Sequence, residues 1–392
     1  MAFRRPSPPD DGFALRMAVL YGAIFTFVGI QLPFLPVWLQ AKGLDVREIG
    51  LVLAMAVVAR PVILPAAMRI IDRRGWAKGP LVAAAWAACI TFVAVALSDS
   101  FAAIIITFAI SALPQALILP LTDAYALRGL AARERAYGSV RLWGSIAFIA
   151  ANLGGGFVLE RVGASHLIWA LVVAIAATAL SASVQTPLGP VSRDTDAPDQ
   201  RAPSLWRSPG FVAVVAATSL IQASHAVLNG FASLQWEAKG LTGPVIGALW
   251  AIGVLAEIGL FAVSARVMAR LRPIDLIGLG AVGATLRWTA MAFDPPALLL
   301  PALQCLHGLS FGATHLGAMH FLAGFAAGRQ GATAQGDYST IVAAVFALEM
   351  GFSGVLVEQF GAYAYLAMAA SALAGAVIVA VARRVTAQDG KV

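Results

Sequence analysis

Residues 34–60, FLPVWLQAKGLDVREIGLVLAMAVVAR, and residues 231–257, FASLQWEAKGLTGPVIGALWAIGVLAE, are one stretch written twice. The offset is 197 residues and no gap is needed. Ten of the 27 positions are identical, including AKGL at 41–44 and 238–241 and IG at 49–50 and 246–247. About two identities are expected by chance at ordinary residue frequencies. The copies end on opposite charges, Arg60 in the first and Glu257 in the second, each closing an apolar run. A duplicated apolar chain with ionisable groups at matching depth is what a secondary transporter looks like, with its site between two halves.

Working outward, the whole chain fits a bilayer. Its 392 residues are 60% hydrophobic and 12% charged, with a mean hydropathy of +0.82. A soluble domain carries about 25% charge, so one soluble core is excluded. Apolar runs of about 20 residues recur, the length a helix needs to cross roughly 30 Å of hydrocarbon. Alternating period-2 strands are absent, which argues against a β-barrel. The net charge of +7 comes from basic residues in short loops between apolar runs, without a basic cluster interleaved with aromatics, so no nucleic-acid partner is expected. Cys89 and Cys305 both fall inside apolar runs, and neither a disulfide framework nor metal-ligand spacing is present. The polar, Pro-rich start MAFRRPSPPDD shows no cleavage site before the first apolar run, so the first helix is expected to be its own insertion signal.

Twelve spans are expected: 15–39, 50–70, 79–98, 101–127, 138–159, 165–184, 209–235, 245–265, 273–293, 297–325, 338–357 and 361–382. The polar, Pro-rich stretch 185–207 divides them, giving an N-terminal six-helix half (1–184), a cytoplasmic linker (185–207) and a C-terminal six-helix half (208–392). Of the 27 Lys and Arg residues, 20 fall on the side of the termini and linker, four on the opposite side (Lys42, Arg47, Arg161, Lys239) and three within spans. That bias places both termini in the cytoplasm of a bacterial-type inner membrane.

Charges inside spans cost roughly 2.5–3.5 kcal/mol each on insertion scales, so those present need a reason. Arg60, Arg141, Glu257, Arg287 and Glu349 lie within spans, and Asp123 lies near the cytoplasmic end of the fourth. Structural ion pairs would account for single members; the full set suits the path of a polar or charged solute. In the fifth span Arg141, Ser145 and Phe148 share a helical face. A cation, a hydroxyl and an aromatic plate on one face suit a ring bearing an acidic or polar group. Gly154, Gly155 and Gly156 further along read as close helix contacts. Glu257, Arg287 and His307 occupy spans 8, 9 and 10, and an arginine moving toward or away from a desolvated carboxyl releases or loads a proton. His225 and Asn229, four apart on span 7, are candidate cavity-lining residues. His315 and His320 are five apart and off a shared face, so no metal site is read there. Glu349 has no evident partner in the sequence.

These residues resemble a known family. Pro33-Phe34-Leu35-Pro36-Val37-Trp38-Leu39 resembles the first-span signature of the lactose permease group of the major facilitator superfamily. The stretch Tyr137 to Ser145, YGSVRLWGS, is similar to the 3-phenylpropionate-transporter branch of that group. So are Leu117 to Ala124, Leu249 to Glu257, Leu286-Arg287-Trp288 and Leu306-His307-Gly308, and the likeness runs from the first span to the last. The resemblance implies an all-α, twelve-helix fold of two pseudo-symmetric halves working by alternating access, with a small organic solute and protons as partners and no cofactor. It implies that Arg60, Asp123, Arg141, Ser145 and Phe148 bind the solute and that Glu257, Arg287 and His307 couple it to protons. One departure matters. The family's proton-carrying glutamate, three residues after the histidine, is Ser310 here, leaving Glu257 or Glu349 to carry the proton or the coupling to differ. Arg60 matches the aromatic-acid branch and stands where lactose permease is neutral.

The expected protein is therefore a monomeric, non-enzymatic symporter importing a small carboxylic acid, aromatic by preference. Sugar or nucleoside symport and drug or metabolite export by proton antiport are the alternatives. A non-transporting sensor would need a larger soluble segment than the linker supplies.

Overall fold

The computed structural model describes residues 12–74, 78–188, 205–325 and 331–388. These form fifteen α-helices and, among the described residues, no strand. They are α1 (Phe13–Ala41), α2 (Val46–Arg74), α3 (Lys78–Ala96), α4 (Phe101–Ala131), α5 (Tyr137–Val162), α6 (Leu167–Ser183), α7 (Pro209–Ala223), α8 (Ala226–Ala238), α9 (Gly243–Ala262), α10 (Ser264–Met268), α11 (Pro273–Ala292), α12 (Leu300–Cys305), α13 (Thr314–Phe325), α14 (Gly331–Phe360) and α15 (Ala364–Gln388). Each of the twelve expected spans overlaps a helix or a broken pair of helices. α7 and α8 together make the seventh, and α12, a π-helical turn at Gly308–Ala313 and α13 make the tenth.

By length and apolarity alone, nine stretches of the described residues can cross a membrane, against the twelve spans read from sequence. Three differences account for the gap. Ala334–Arg383 is one such stretch but holds both α14 and α15, which the turn at Gly361 separates. α11 is diluted by Asp275, Arg287 and three glycines, and part of α2 lies outside the described side chains. Large apolar side chains such as Leu15, Ile90, Val173, Leu298 and Phe352 stand more than half exposed, as they do where the solvent is lipid.

The duplicated sequence folds twice into the same local structure. AKGL forms the turn from α1 to α2 and again from α8 to α9. Gly43 and Gly240, matched positions of the repeat, both take the left-handed conformation, φ +86° and +80°, which glycine adopts without a Cβ clash. The lysine before each glycine reaches an acid in a later loop: Lys42 Nζ lies 2.5 Å from Asp99 and Lys239 Nζ 2.6 Å from Asp294. Such exposed pairs are worth at most about 1 kcal/mol. Their value here is that two halves of the sequence build one corner by one rule.

The chain groups into two compact units that do not follow the linker exclusively. The first contains Met1–Gly43, Val62–Thr195 and Thr242–Gly247; the second contains Leu44–Pro61, Asp196–Leu241 and Ala248–Val392. Within the first unit, α1 and α5 pack closely because their facing residues are small. A Cβ on Gly29 would stand 2.8 Å from Ala151 Cβ and from the Phe148 carbonyl oxygen. Gly155 leaves room for the Phe34 ring, and Gly156 meets the backbone of Gly243, but Gly154 has nothing within 4 Å. The expectation that all three glycines mark contacts is thus corrected for Gly154, whose face of α5 is exposed. Within the second unit, the first turns of α2 lie on α14. Gly50 and Gly354 meet there, a Cβ on Gly354 would fall 2.5 Å from the Val46 carbonyl oxygen, and Arg47 pairs with Glu358.

Candidate functional site

In the second unit a buried polar cluster forms where two helices are broken. The seventh span breaks at Ser224 and His225, between α7 and α8. The tenth breaks after α12 and continues through the π turn, an irregularity that often marks a functional position. The π turn carries Ser310 and Phe311, and His307 stands immediately before it. Arg287, on α11, is fully buried and joins the two breaks. Its Nη1 donates to Ser310 Oγ and faces His307 Nδ1, both at 3.2 Å, and its Nη2 donates to Gln304 Oε1 at 2.7 Å.

Donor counting then fixes the protons on both histidines. Arg287 only donates, so His307 Nδ1 carries a lone pair and its proton is on Nε2. That nitrogen lies 3.7 Å from Glu257 Oε2, which is ion-pair range rather than a hydrogen bond. Ser310, accepting from Arg287, donates its own proton to His225 Nε2 at 3.1 Å. His225 keeps its proton on Nδ1, which donates to the Gln222 carbonyl at 3.1 Å. The result is a line from Arg287 through His307 to Glu257. A shift of Glu257 by under about 1 Å closes the last hydrogen bond in that line.

Aromatic rings hold the line in place. Phe311 stacks on His307, ring centroids 5.1 Å apart, and His315 stacks on Phe311 at 5.9 Å. Trp288 stands edge-on to His225, stacks on Tyr365 and donates from Nε1 to Ser224 Oγ at 2.8 Å. Replacing Trp288 with Phe leaves that serine oxygen buried without its donor. The expected cost is about 1 kcal/mol, read as a drop of roughly 1 °C in the thermal unfolding midpoint of the purified 392-residue protein.

Glu349, on α14, stands apart from this cluster. Its Oε1 accepts from Ser371 on α15 at 2.5 Å, and its Oε2 is buried without a hydrogen-bond partner. Ser371 also reaches the Leu220 carbonyl at 3.2 Å, so Glu349 sits among α7, α14 and α15. Of the four residues expected to couple protons, the structure brings Glu257, Arg287 and His307 together and leaves Glu349 elsewhere in the same unit.

In the first unit Asp123, on α4, accepts from Tyr21 at 2.6 Å and from Tyr137 at 2.9 Å. Arg141, on α5, lies over aromatic rings instead, 4.1 Å from the centroid of Phe25 and 5.5 Å from that of Tyr21. Tyr21 thus stands between the two charges, its hydroxyl on Asp123 and its ring beside Arg141. Gly144 makes space for Phe25, because a Cβ there would fall 2.8 Å from that ring. Phe148 stands edge-on to Phe25, centroids 6.5 Å apart, and is nearly buried. Ser145 is partly exposed on the same face. Arg60 lies on α2, and its side chain is outside the described residues. Among the described residues no group of His, Cys, Asp and Glu is arranged to hold a metal.

Tyr21, Phe25, Gln304, Ser224 and Tyr365 were not singled out from sequence. Gln304 had a usable signal, since it lies three residues before His307 as Ser310 lies three after. Tyr137 precedes Arg141 by one helical turn. Tyr21, Phe25 and Tyr365 come from distant helices, and nothing local announces them.

Charged side chains held inside apolar, repeat-built helices define a membrane transport protein. The chain belongs to the MFS_1 like family, whose model matches residues 14–381, and is a multi-pass transporter of the major facilitator superfamily. It is 30% identical to the probable 3-phenylpropionic acid transporter of Escherichia coli (strain K12) over 371 residues, covering 91% of this chain and 94% of the relative. It is 28% identical to a maltose permease of Geobacillus stearothermophilus, covering 84% of each. Its fold is similar to the crystal structure of the nucleoside transporter NupG, with a TM-score of 0.81 at 18% identity, covering 94% of this chain and 98% of that one. It is also similar to a bacterial homolog of the human lysosomal transporter Spinster, captured inward-facing and unoccupied, with a TM-score of 0.70 at 16% identity, covering 94% of each chain.

Proposed function

We propose that this transporter imports a small carboxylic acid, aromatic by preference, together with protons across a bacterial inner membrane, as a monomer with both termini cytoplasmic. The observation that carries the reading is the line Arg287–His307–Glu257, a neutral histidine facing a fixed cation on one nitrogen and a carboxylate on the other. Such a line passes a proton between the carboxylate and the imidazole when either partner moves. Glu257 carries the proton, Arg287 and His307 poise it, and Glu349, buried with one oxygen unpartnered, is a reserve acid. On the solute side, Arg141 and Arg60 attract the carboxylate, Asp123 and Ser145 take polar groups, and Phe148 with Phe25 flanks the ring. The 30% identical relative is named for an aromatic acid, which supports this choice.

Sugar or nucleoside symport is the second reading. It is favoured by Asp123, whose carboxylate already accepts from two hydroxyls and so suits a polyol. Proteoliposomes with an alkaline interior separate the two. Labelled 3-phenylpropionate is expected to enter at a faster initial rate than into empty liposomes, and Arg141→Ala is expected to lose the excess. Accumulation of maltose or a nucleoside, with none of the acid, would transfer the assignment to the second reading.

A further inference from the structure

Arg287 is fully buried, and its hydrogen-bond and ring partners among the described residues are neutral: Ser310, Gln304, the unprotonated face of His307 and the Trp288 ring, 4.7 Å from the guanidinium carbon. Its Nε–H is buried and bonded to nothing. Nε–H and the adjacent Nη2 hydrogen form the side edge of the guanidinium, the fork that binds a carboxylate with two parallel bonds. Two more buried groups able to donate belong to the same neighbourhood and also lack partners. Gln304 Nε2 is on the amide whose oxygen accepts from Arg287, and the Tyr365 hydroxyl is on the ring stacked against Trp288, the next residue of α11. A buried cation with neutral partners is costly, and unpaired buried donors add to that cost. The carboxylate of Glu257 lies 3.7 Å from His307 Nε2, on the opposite nitrogen of that ring from Arg287.

We infer that Arg287 is an anion-binding site: a small monovalent anion, carboxylate or halide, ion-pairs with its Nε edge and takes further hydrogen bonds from Gln304 Nε2 and Tyr365. All three of its residues belong to the second unit. An anion there neutralises Arg287 and leaves His307 free to share a proton with Glu257. If the anion is the solute's own carboxylate, the assignment rests on the acid-transport reading; if it is chloride, it does not.

Thermal unfolding of the full chain in detergent tests this. In chloride-free buffer, saturating chloride or 3-phenylpropionate is expected to raise the wild-type midpoint by roughly 3 °C or more, and neutral 3-phenylpropionamide is expected to leave it unchanged. Ser310→Glu extends an internal carboxylate beyond the present position of Ser310 Oγ, which is 3.2 Å from Arg287 Nη1 and so within reach of the guanidinium, and is expected to abolish the rise. Arg287→Gln is expected to abolish it too, and carries the test if the glutamate variant does not fold. A rise with chloride identifies a halide site. A rise with 3-phenylpropionate alone identifies the solute's carboxylate. No rise in the wild type, or the same rise in a variant, overturns the site. Proton-driven uptake that persists without any anion effect removes this site and keeps the transport reading; an anion effect without uptake does the reverse.

Discussion

Glu257→Gln is expected to lose accumulation of solute against a gradient while still exchanging solute across the membrane. A glutamine fills the space of the glutamate beside His307 Nε2, 3.7 Å from the present carboxylate oxygen, but cannot carry a proton. The binding face around Arg141 is in other helices and is untouched, so the solute still binds and crosses. With one proton per solute, a pH difference of one unit drives about tenfold accumulation. In the variant the initial rate of pH-driven entry is expected to fall to that of empty liposomes, while counterflow of labelled against unlabelled solute continues. The measurement pairs the two assays in one batch of proteoliposomes, with empty liposomes correcting for passive entry of the undissociated acid. Proton-driven accumulation equal to wild type would remove Glu257 from the coupling role. In that case the double variant with Glu349→Gln would show whether the acid on α14 carries the proton.

Gly247→Val is expected to reduce uptake more than tenfold at unchanged expression. In the first unit the stretch 242–247 lies against α5 with backbone on backbone. A Cβ on Gly247 would stand 2.1 Å from the Asn152 carbonyl oxygen, and one on Gly156 2.1 Å from the Gly243 carbonyl oxygen. No rotamer relieves an overlap with main-chain atoms, so the helices must separate by an ångström or more. Close approach of helices through small residues is the main attraction available in lipid, where apolar burial contributes little. Gly154→Val is the control: it lies two residues from Gly156 on α5 and its Cβ would meet nothing within 4 Å. It is expected to transport at the wild-type rate. Equal losses in both variants would show that α5 tolerates no valine and that the close approach has no special part.

The fold was legible because bilayer physics leaves few choices. Apolar length sets the spans and loop arginines set the sides, and the repeat required one corner built twice, with Gly43 and Gly240 in the same left-handed conformation. Breaks within spans were not legible. The interruption at Ser224–His225 carries no proline or glycine, and the two glycines of the π turn at 308–313 weaken a helix without showing where an extra residue is inserted. For the site, charge was the usable signal. A charged residue in an apolar run is conspicuous alone, so Glu257, Arg287 and Glu349 stood out. Residues that hold the charges did not. Tyr21 and Phe25 separate Asp123 from Arg141 by packing across helices, and a tyrosine or phenylalanine in a membrane span is ordinary until its neighbours are known.

The grouping of 44–61 with the second unit and of 242–247 with the first bears on how the protein can be divided between genes. A cut in the linker yields two polypeptides of nearly equal length, each missing a strip on which its own packing depends. The N-terminal product leaves the backbone of Asn152 and Gly156 uncovered, and the C-terminal product leaves α14 bare at Gly354. Made singly, each is an incomplete substrate for folding and an easy one for membrane proteases. Made together, each acts as the other's chaperone, so split-gene complementation is expected only when both halves are inserted in the same cell.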